Sequence, residues 1–246
     1  MVSFSIENIR KKYGQKEVLK GVSIFANHGE VIGLIGTNGA GKTTLIKIIA
    51  GLSKADAGTI NILKSCPIKN RTLVRQQIAL VPQENNLERE CSVFEVLYLY
   101  ARLFGVVEAK KRVREILHEF TMQDWQTKKV EHLSGGMARK VLIARAMLTN
   151  PKIILLDEPS VGLDPDVRQE IWQMILQLRS LGKTILITTH YMDEAEFLCD
   201  RVALLKEGRL LYMDTVEGLK EHVQVATEKI SLETAFLHFV REKEKL

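Results

Sequence analysis

The chain has 246 residues, 46% of them hydrophobic and 26% charged, with 16 Gly and 5 Pro, a profile that excludes intrinsic disorder and collagen-like repeats. Its length exceeds the usual single-domain mode and no stretch reads as a linker, so one elaborated domain, or one domain carrying an inserted lobe, is expected rather than two independent units. Thirty-five Lys and Arg against 30 Asp and Glu leave a net charge of +5, a mild lean toward anionic partners such as nucleotide phosphates, nucleic acid or an anionic membrane surface.

Met1 to Arg10 has neither an uninterrupted apolar stretch nor a small-residue cleavage site, which argues against a secretory signal. Alternation at Val2, Phe4 and Ile6 predicts a strand, and after a turn at Tyr13–Gly14 the residues Val18, Leu19, Val22 and Ile24 predict its antiparallel partner. Glu30 to Ile35 is a short apolar run that leads into glycines and then a helix from Lys42 to Leu52, closed by Gly51: a strand, a loop and a helix. A further strand, Ile78 to Val81, runs into Pro82 and Gln83. Ser92 to Gly105 and Ala109 to Phe120 repeat apolar residues at helical spacing with no strand signal, so residues 85 to 150 read as a helical lobe. Ile153 to Leu156 and Thr184 to Thr189 read as strands buried on both faces, separated by a helix from Val167 to Leu181 that Gly182 ends. That alternation predicts a parallel sheet. The tail from Glu221 holds an amphipathic stretch, Ser231 to Val240, and ends in a solvated charge run, Arg241 to Lys245.

Two general expectations follow. The apolar segments Val93 to Phe104 and Lys183 to Thr189 fall short of the about 20 apolar residues a spanning helix needs, so any membrane role is expected to be peripheral. Cys66, Cys91 and Cys199 are scattered and odd in number, without CxxC spacing, which points to neither a disulfide framework nor a zinc site and fits a reducing cytosol.

Three motifs carry chemistry. Gly36, Thr37, Asn38, Gly39, Ala40, Gly41, Lys42 and Thr43, followed by Thr44, satisfy GxxxxGK[ST] between an apolar strand and a helix, the context in which that pattern has a mechanism. Glycines let consecutive N–H groups and a helix N-terminus converge on a polyanion, Lys42 neutralises β and γ oxygens, and the Thr43 hydroxyl ligates Mg²⁺. An ordinary glycine turn is the bland alternative. Ile153 to Leu156 then delivers Asp157, placed to hold Mg²⁺, and Glu158, placed to orient or deprotonate an attacking water. Taken alone, that acidic pair reads as a helix cap. Leu133-Ser134-Gly135-Gly136-Met137 opens a helix over Ala138 to Leu148 and presents a second set of anion donors, or else a simple cap.

Together these segments resemble the ATP-binding cassette (ABC) ATPases, whose LSGGQ signature from one subunit closes over the nucleotide held by its partner. The resemblance covers roughly residues 3 to 218. It implies an α/β fold: a P-loop NTPase (RecA-like) core and a small antiparallel β subdomain over residues 1–84 and 151–220, an inserted α-helical subdomain over 85–150, and a helical tail over 221–246. It implies ATP and Mg²⁺ as cofactors, with Glu158, His190 and Gln83 catalytic and Thr43, Gln83 and Asp157 at the metal. Tyr13 matches the aromatic that stacks on adenine, Gln83 the Q-loop glutamine, Asp164 the D-loop residue that touches the opposite subunit, and His190 the switch histidine at the γ-phosphate. Ser134, Gly135 and Gly136 match the signature donors.

The sequence departs from the pattern twice. Met137 stands where the family usually has Gln, which leaves Ser134 and the backbone donors in place, so binding is expected to persist. Thr37 stands where most members carry Pro or Ser, with little effect expected. Leu97 to Gly105, Thr189 to Arg201 and Ser231 to Val240 are similar to the ATPase subunits of ABC-2-type exporters of drugs, lipids or peptides. The resemblance thus implies a second ABC ATPase subunit and separate transmembrane permease subunits as partners, docking between Gln83 to Leu87 and a face of Phe94, Tyr98 and Tyr100. Those aromatics read equally well as lobe core. A place on the cytoplasmic face of the membrane follows, with no nucleic acid expected. The competing reading is a soluble ABC ATPase acting on ribosomes or DNA, which usually carries two cassettes or long insertions in one chain.

Overall fold

A computed structural model describes residues 1–63, 76–223 and 231–242; Cys66 and the end of the terminal charge run lie outside the described residues. β1 (Val2–Tyr13) and β2 (Lys16–Asn27) pair antiparallel across a turn at Gly14. Their alternating pattern sends Phe4, Ile6, Ile9, Leu19 and Val22 inward. β3 (Val31–Ile35) is buried along its whole length and passes through the glycine loop into α1 (Lys42–Ile49). β4 (Ala57–Ile62) returns to pair with β1, completing a three-stranded antiparallel sheet in the order β2-β1-β4.

β5 (Ile78–Val81) and β6 (Ile153–Asp157) are parallel neighbours, yet three α-helices lie between them in the chain: α2 (Val93–Leu103), α3 (Ala109–Glu119) and α4 (Gly135–Ala146). A capping box at Ser92 and Glu95 starts α2, satisfying two of its orphan donors reciprocally. After β6 come α5 (Pro165–Ser180), β7 (Thr184–Thr189), α6 (Met192–Leu198), β8 (Arg201–Lys206), β9 (Arg209–Thr215), α7 (Val216–Glu221) and α8 (Leu232–Glu242). The second sheet runs β5-β6-β7-β3-β8-β9, parallel except for β9, which pairs antiparallel with β8.

One apolar cluster fills the space between the two sheets and α1, joining Phe4, Ile6 and Ile9 to Leu45, Ile46 and Ile49 and to Ile32 and Leu34. The opposite face of the larger sheet packs on α5 and on the helices between β5 and β6, with Ile154, Leu156, Ile175, Val141 and Leu97 in one continuous core. Each such fully buried side chain contributes about 1.5–3 kcal/mol. The tail helix α8 buries Leu232 and Phe236 against Val216, Leu219 and Val202, as its amphipathic spacing predicts.

Three readings are corrected by the structure, which also adds three strands. The first helix stops at Ile49 rather than Leu52, because its last turn tightens as Gly51 donates to Ile48 O and adopts a φ of +70°. α4 starts at Gly135 rather than Ala138, because Ser134 Oγ accepts the Met137 N–H at 3.2 Å and caps it there. The larger sheet is mixed, since β9 closes its edge. β4, β8 and β9 were not expected at all. Among the described residues, no helix is long and apolar enough to cross a membrane.

Candidate functional site

In a parallel sheet the loops after the strands gather at one edge, where ligands of open α/β folds sit. Here β5, β6, β7 and β3 are consecutive neighbours, and their carboxyl ends lead to Gln83, to Asp157 and Glu158, to His190 and to the Gly36 loop. Register does this: Val81 pairs with Leu156, Asp157 with Thr188, and Thr189 with Ile35. Gln83, Lys42, Thr43, Glu158 and His190 accordingly line one cleft of about 510 Å³, with Thr37, Asn38, Gly39, Ala40, Gly41 and Thr44 along its loop side. That is the size of a small-ligand pocket.

The loop's curl has a steric cause. Gly39 and Gly41 hold φ of +80° and +107°, conformations other residues rarely adopt. A Cβ on Gly36 would stand 2.3 Å from Leu205 O. The turn between β8 and β9 pins the loop from outside, as Gly208 N–H donates to Ala40 O at 3.0 Å while Gly208 O accepts the Lys20 N–H at 2.8 Å. One glycine thereby ties the loop to β2. No side chain fits there, because a Cβ on Gly208 would lie 2.2 Å from Val18 O.

Lys42 is buried and donates from Nζ to Gly36 O at 2.7 Å, with Glu158 Oε1 at 3.3 Å. Glu158 Oε2 lies 2.8 Å from His190 Nδ1. A carboxylate only accepts, so the imidazole proton of that contact sits on Nδ1. Glu158 itself has a φ of +50°, and its N–H donates to Thr188 Oγ1 at 3.0 Å. The same Thr188 hydroxyl donates to Asp157 Oδ1 at 2.6 Å, while Thr43 Oγ1 donates to that oxygen at 3.3 Å. Thr188 therefore orients the Asp157 carboxylate and holds the backbone of Glu158, a role that the sequence reading missed.

Just beyond the carboxylates, Ser160 Oγ donates to Glu194 Oε1 at 2.6 Å and Trp172 Nε1 donates to the same oxygen at 3.0 Å. Glu194 is 1% exposed, and burial raises its pKa above the ordinary carboxylate range. It links α6 to the segment that follows Glu158.

The signature residues stand elsewhere. Ser134 and Gly135 are exposed, and neither they, Gly136 nor Asp164 line the cleft. Gly136 is buried because α5 passes over it: a Cβ would come within 2.2 Å of Val167 Cγ1. Leu163 lies at ordinary contact distance from Gly135, with its Cδ2 3.6 Å from where a Cβ would stand, which puts the Asp164 turn beside the signature. Asp164 occupies the N-cap of α5 with no side-chain bond to the helix. Tyr13, at the end of β1, is 51% exposed with Lys11 Nζ 5.3 Å from its ring centre, whereas Lys16 and Val18 just after it reach the cleft. Those two lie on an ordinary-looking strand and gave no signal in sequence. Phe94 and Tyr98 are half-buried and stack with ring centres 6.2 Å apart, and Tyr100 lies under Arg145 at 4.4 Å.

Comparison with known proteins agrees with this geometry. The ABC transporter family profile matches residues 19–161. The chain is 43% identical over 205 residues to the Nod factor export ATP-binding protein I of Burkholderia orbicola (strain AU 1054), covering 82% of this chain and 67% of that protein. It is 39% identical over 215 residues to the linearmycin resistance ATP-binding protein LnrL of Bacillus subtilis (strain 168), covering 87% and 69%. A solved ATP-binding subunit of an ABC transporter superposes with a TM-score of 0.84 at 30% identity, over 96% of this chain and 99% of that one. A dimeric ATP-binding cassette in a post-hydrolysis state bound to ADP and Pi superposes with a TM-score of 0.76 at 29% identity, over 86% and 98%. Phosphate loop, paired carboxylates and exposed signature thus occur together in a chain that belongs to the ABC transporter family, among its ATP-binding subunits.

Proposed function

We propose that this chain is the ATP-hydrolysing subunit of an exporter, working in a head-to-tail pair. Each nucleotide lies between the Gly36–Thr44 loop of one protomer and the Ser134–Gly136 segment of its partner, and hydrolysis drives export through separate membrane subunits. The observation that carries this reading is Glu158 held between Lys42 and His190 inside the cleft, while the signature donors face outward. Two relatives, one named for Nod factor export and one for linearmycin resistance, support the direction of transport. In this reading the chain sits peripherally on the cytoplasmic face of the membrane. Residues 1–84 and 151–220 act as the core, 85–150 as the helical lobe and 221–246 as the tail.

Nucleotide entry exchanges ion pairs. Lys42 now shares its charge between Gly36 O and Glu158, and a triphosphate with about four negative charges competes for it far better than one carboxylate. Glu158 is thereby released toward the cleft. It takes a proton from a water whose oxygen bonds to the γ-phosphorus, as the bond from that phosphorus to the β–γ bridging oxygen breaks and ADP keeps the electron pair. His190 holds Glu158 in place and faces the γ-phosphate, and Tyr13 stacks on the base. Asp164 contacts the partner subunit.

Thr43, Asp157 and Gln83 offer oxygen donors only, the hard set Mg²⁺ prefers, and few enough to leave positions for phosphate and water. The residues present fit that ion, which when bound neutralises charge on the phosphate oxygens.

Glu158→Gln tests the reading. Turnover is expected to fall by roughly 10² or more, a general-base effect, with ATP affinity kept and an ATP-bound dimer accumulating on gel filtration. Unchanged hydrolysis would refute the assignment.

A further inference from the structure

α4 does more than present the signature. Pro82 and Gln83 follow the last residue of β5, so their carbonyls lie beyond the strand ladder and need other donors. Arg139, in the second turn of α4 and 7% exposed, supplies both: Nη1 donates to Pro82 O at 2.6 Å and Nη2 to Gln83 O at 2.6 Å. Farther along the helix Arg145 Nη2 donates to Asn86 Oδ1 at 2.9 Å, and its guanidinium lies over Tyr100, whose hydroxyl donates to Glu88. Two buried cations of one helix therefore grip the loop from Pro82 to Glu88 by its backbone and side chains. A planar fork on two consecutive carbonyls fixes both the distance and the orientation of the peptide it holds.

We infer that Arg139 is a positioning residue for the ATPase reaction: it locks Gln83, which lines the cleft, to the helix whose first turn carries Ser134 and Gly135. This rests on the function proposed above. Gln83 serves the nucleotide of its own protomer, and the start of α4 serves the nucleotide held by the partner. Through Arg139, any displacement of α4 as it closes on the partner's nucleotide is delivered to Gln83. The two nucleotide sites are thus joined by one guanidinium rather than by a long chain of packed side chains.

Lysine keeps the charge and the stem but cannot span both carbonyls, so Arg139→Lys isolates the fork. In the full chain, kcat and KM for ATP are measured for the native protein, Arg139→Lys, Gln83→Ala and the double variant. Arg139→Lys is expected to lower kcat about tenfold, the size of one lost charged hydrogen bond, with KM within about twofold because the phosphate loop is untouched. The double variant is expected to be no slower than Gln83→Ala alone, since Arg139 acts through that residue. Multiplying losses in the double variant, or a native kcat for Arg139→Lys, would overturn the inference and leave the proposed function standing. A native kcat for Gln83→Ala would instead remove the role given to Gln83, and this inference with it. Should Arg139→Lys fail to fold, Arg139→Gln, which can still donate to one carbonyl, enters the same cycle with the same outcomes.

Discussion

The phosphate-loop cleft and the signature surface are both built from glycines at the start of a helix, yet they differ in what those glycines do. In the cleft, Gly39 and Gly41 are needed for backbone angle, and the charged groups satisfy one another: Lys42 meets Glu158, Glu158 meets His190, and Asp157 meets Thr43 and Thr188. At the signature, Gly136 is needed for space under Val167, and Ser134 and Gly135 face outward with no charged side chain between them. One region is a closed electrostatic circuit that a nucleotide must open. The other leaves Ser134 and Gly135 open on the surface. The contrast gives the proposed function its physical form: the cleft carries its own counter-charges, and the signature donors are left facing the surface where that function puts a second protomer.

Three variants break or sharpen this division. Lys42→Ala removes the cation on which the cleft circuit turns, and calorimetry is expected to show ATP affinity falling by about 10² or more, the loss of a charge-assisted contact to phosphate in a buried site. Retained micromolar binding would mean the loop holds phosphate through its backbone alone. Ser134→Arg fills the outward face with a long side chain; ATP binding to the single chain is expected to stay within about twofold while the ATP-dependent dimer disappears on gel filtration. A variant that still dimerises would place the second nucleotide contact elsewhere. Glu194→Gln is the mildest. Because burial raises the folded-state pKa of Glu194, the protonated form contributes stability below the ordinary carboxylate range, and that contribution is lost as pH rises through the folded pKa. A glutamine keeps an acceptor for Ser160 and Trp172 without ionising, so its melting temperature is expected to rise relative to the native chain as pH increases, on the order of 3 °C per kcal/mol. A gap that stays constant with pH would show that Glu194 does not change protonation on unfolding.

How much of this was legible in sequence depends on how local the cause is. The phosphate loop, Asp157 and Glu158 sit in contiguous runs whose strand and helix neighbours are also local, so their placement could be read directly. The helices at 93–103 and 109–119 were legible for the same reason, through Val96, Leu97, Val113 and Ile116 at helical spacing. β4 was not, because Ala57–Ile62 buries only Ile62 fully and depends on pairing with β1, about fifty residues earlier. β8 did carry a short apolar run, Val202 to Leu205, but its place beside β3 is a long-range fact, as is the antiparallel turn of β9. Thr188 looks in sequence like any β-branched residue of a buried strand; only the register that sets it opposite Asp157 reveals its task. Gly208 likewise gave no signal in sequence, and its hold on Ala40 and Lys20 appears only once the two sheets are assembled.

That hairpin sets an order of events during synthesis. The ribosome delivers the glycine loop first, but the residues that brace it, Leu205 and Gly208, emerge some 160 positions later, after Asp157 and His190. A nascent chain therefore cannot brace the loop until the β8–β9 hairpin has left the exit tunnel.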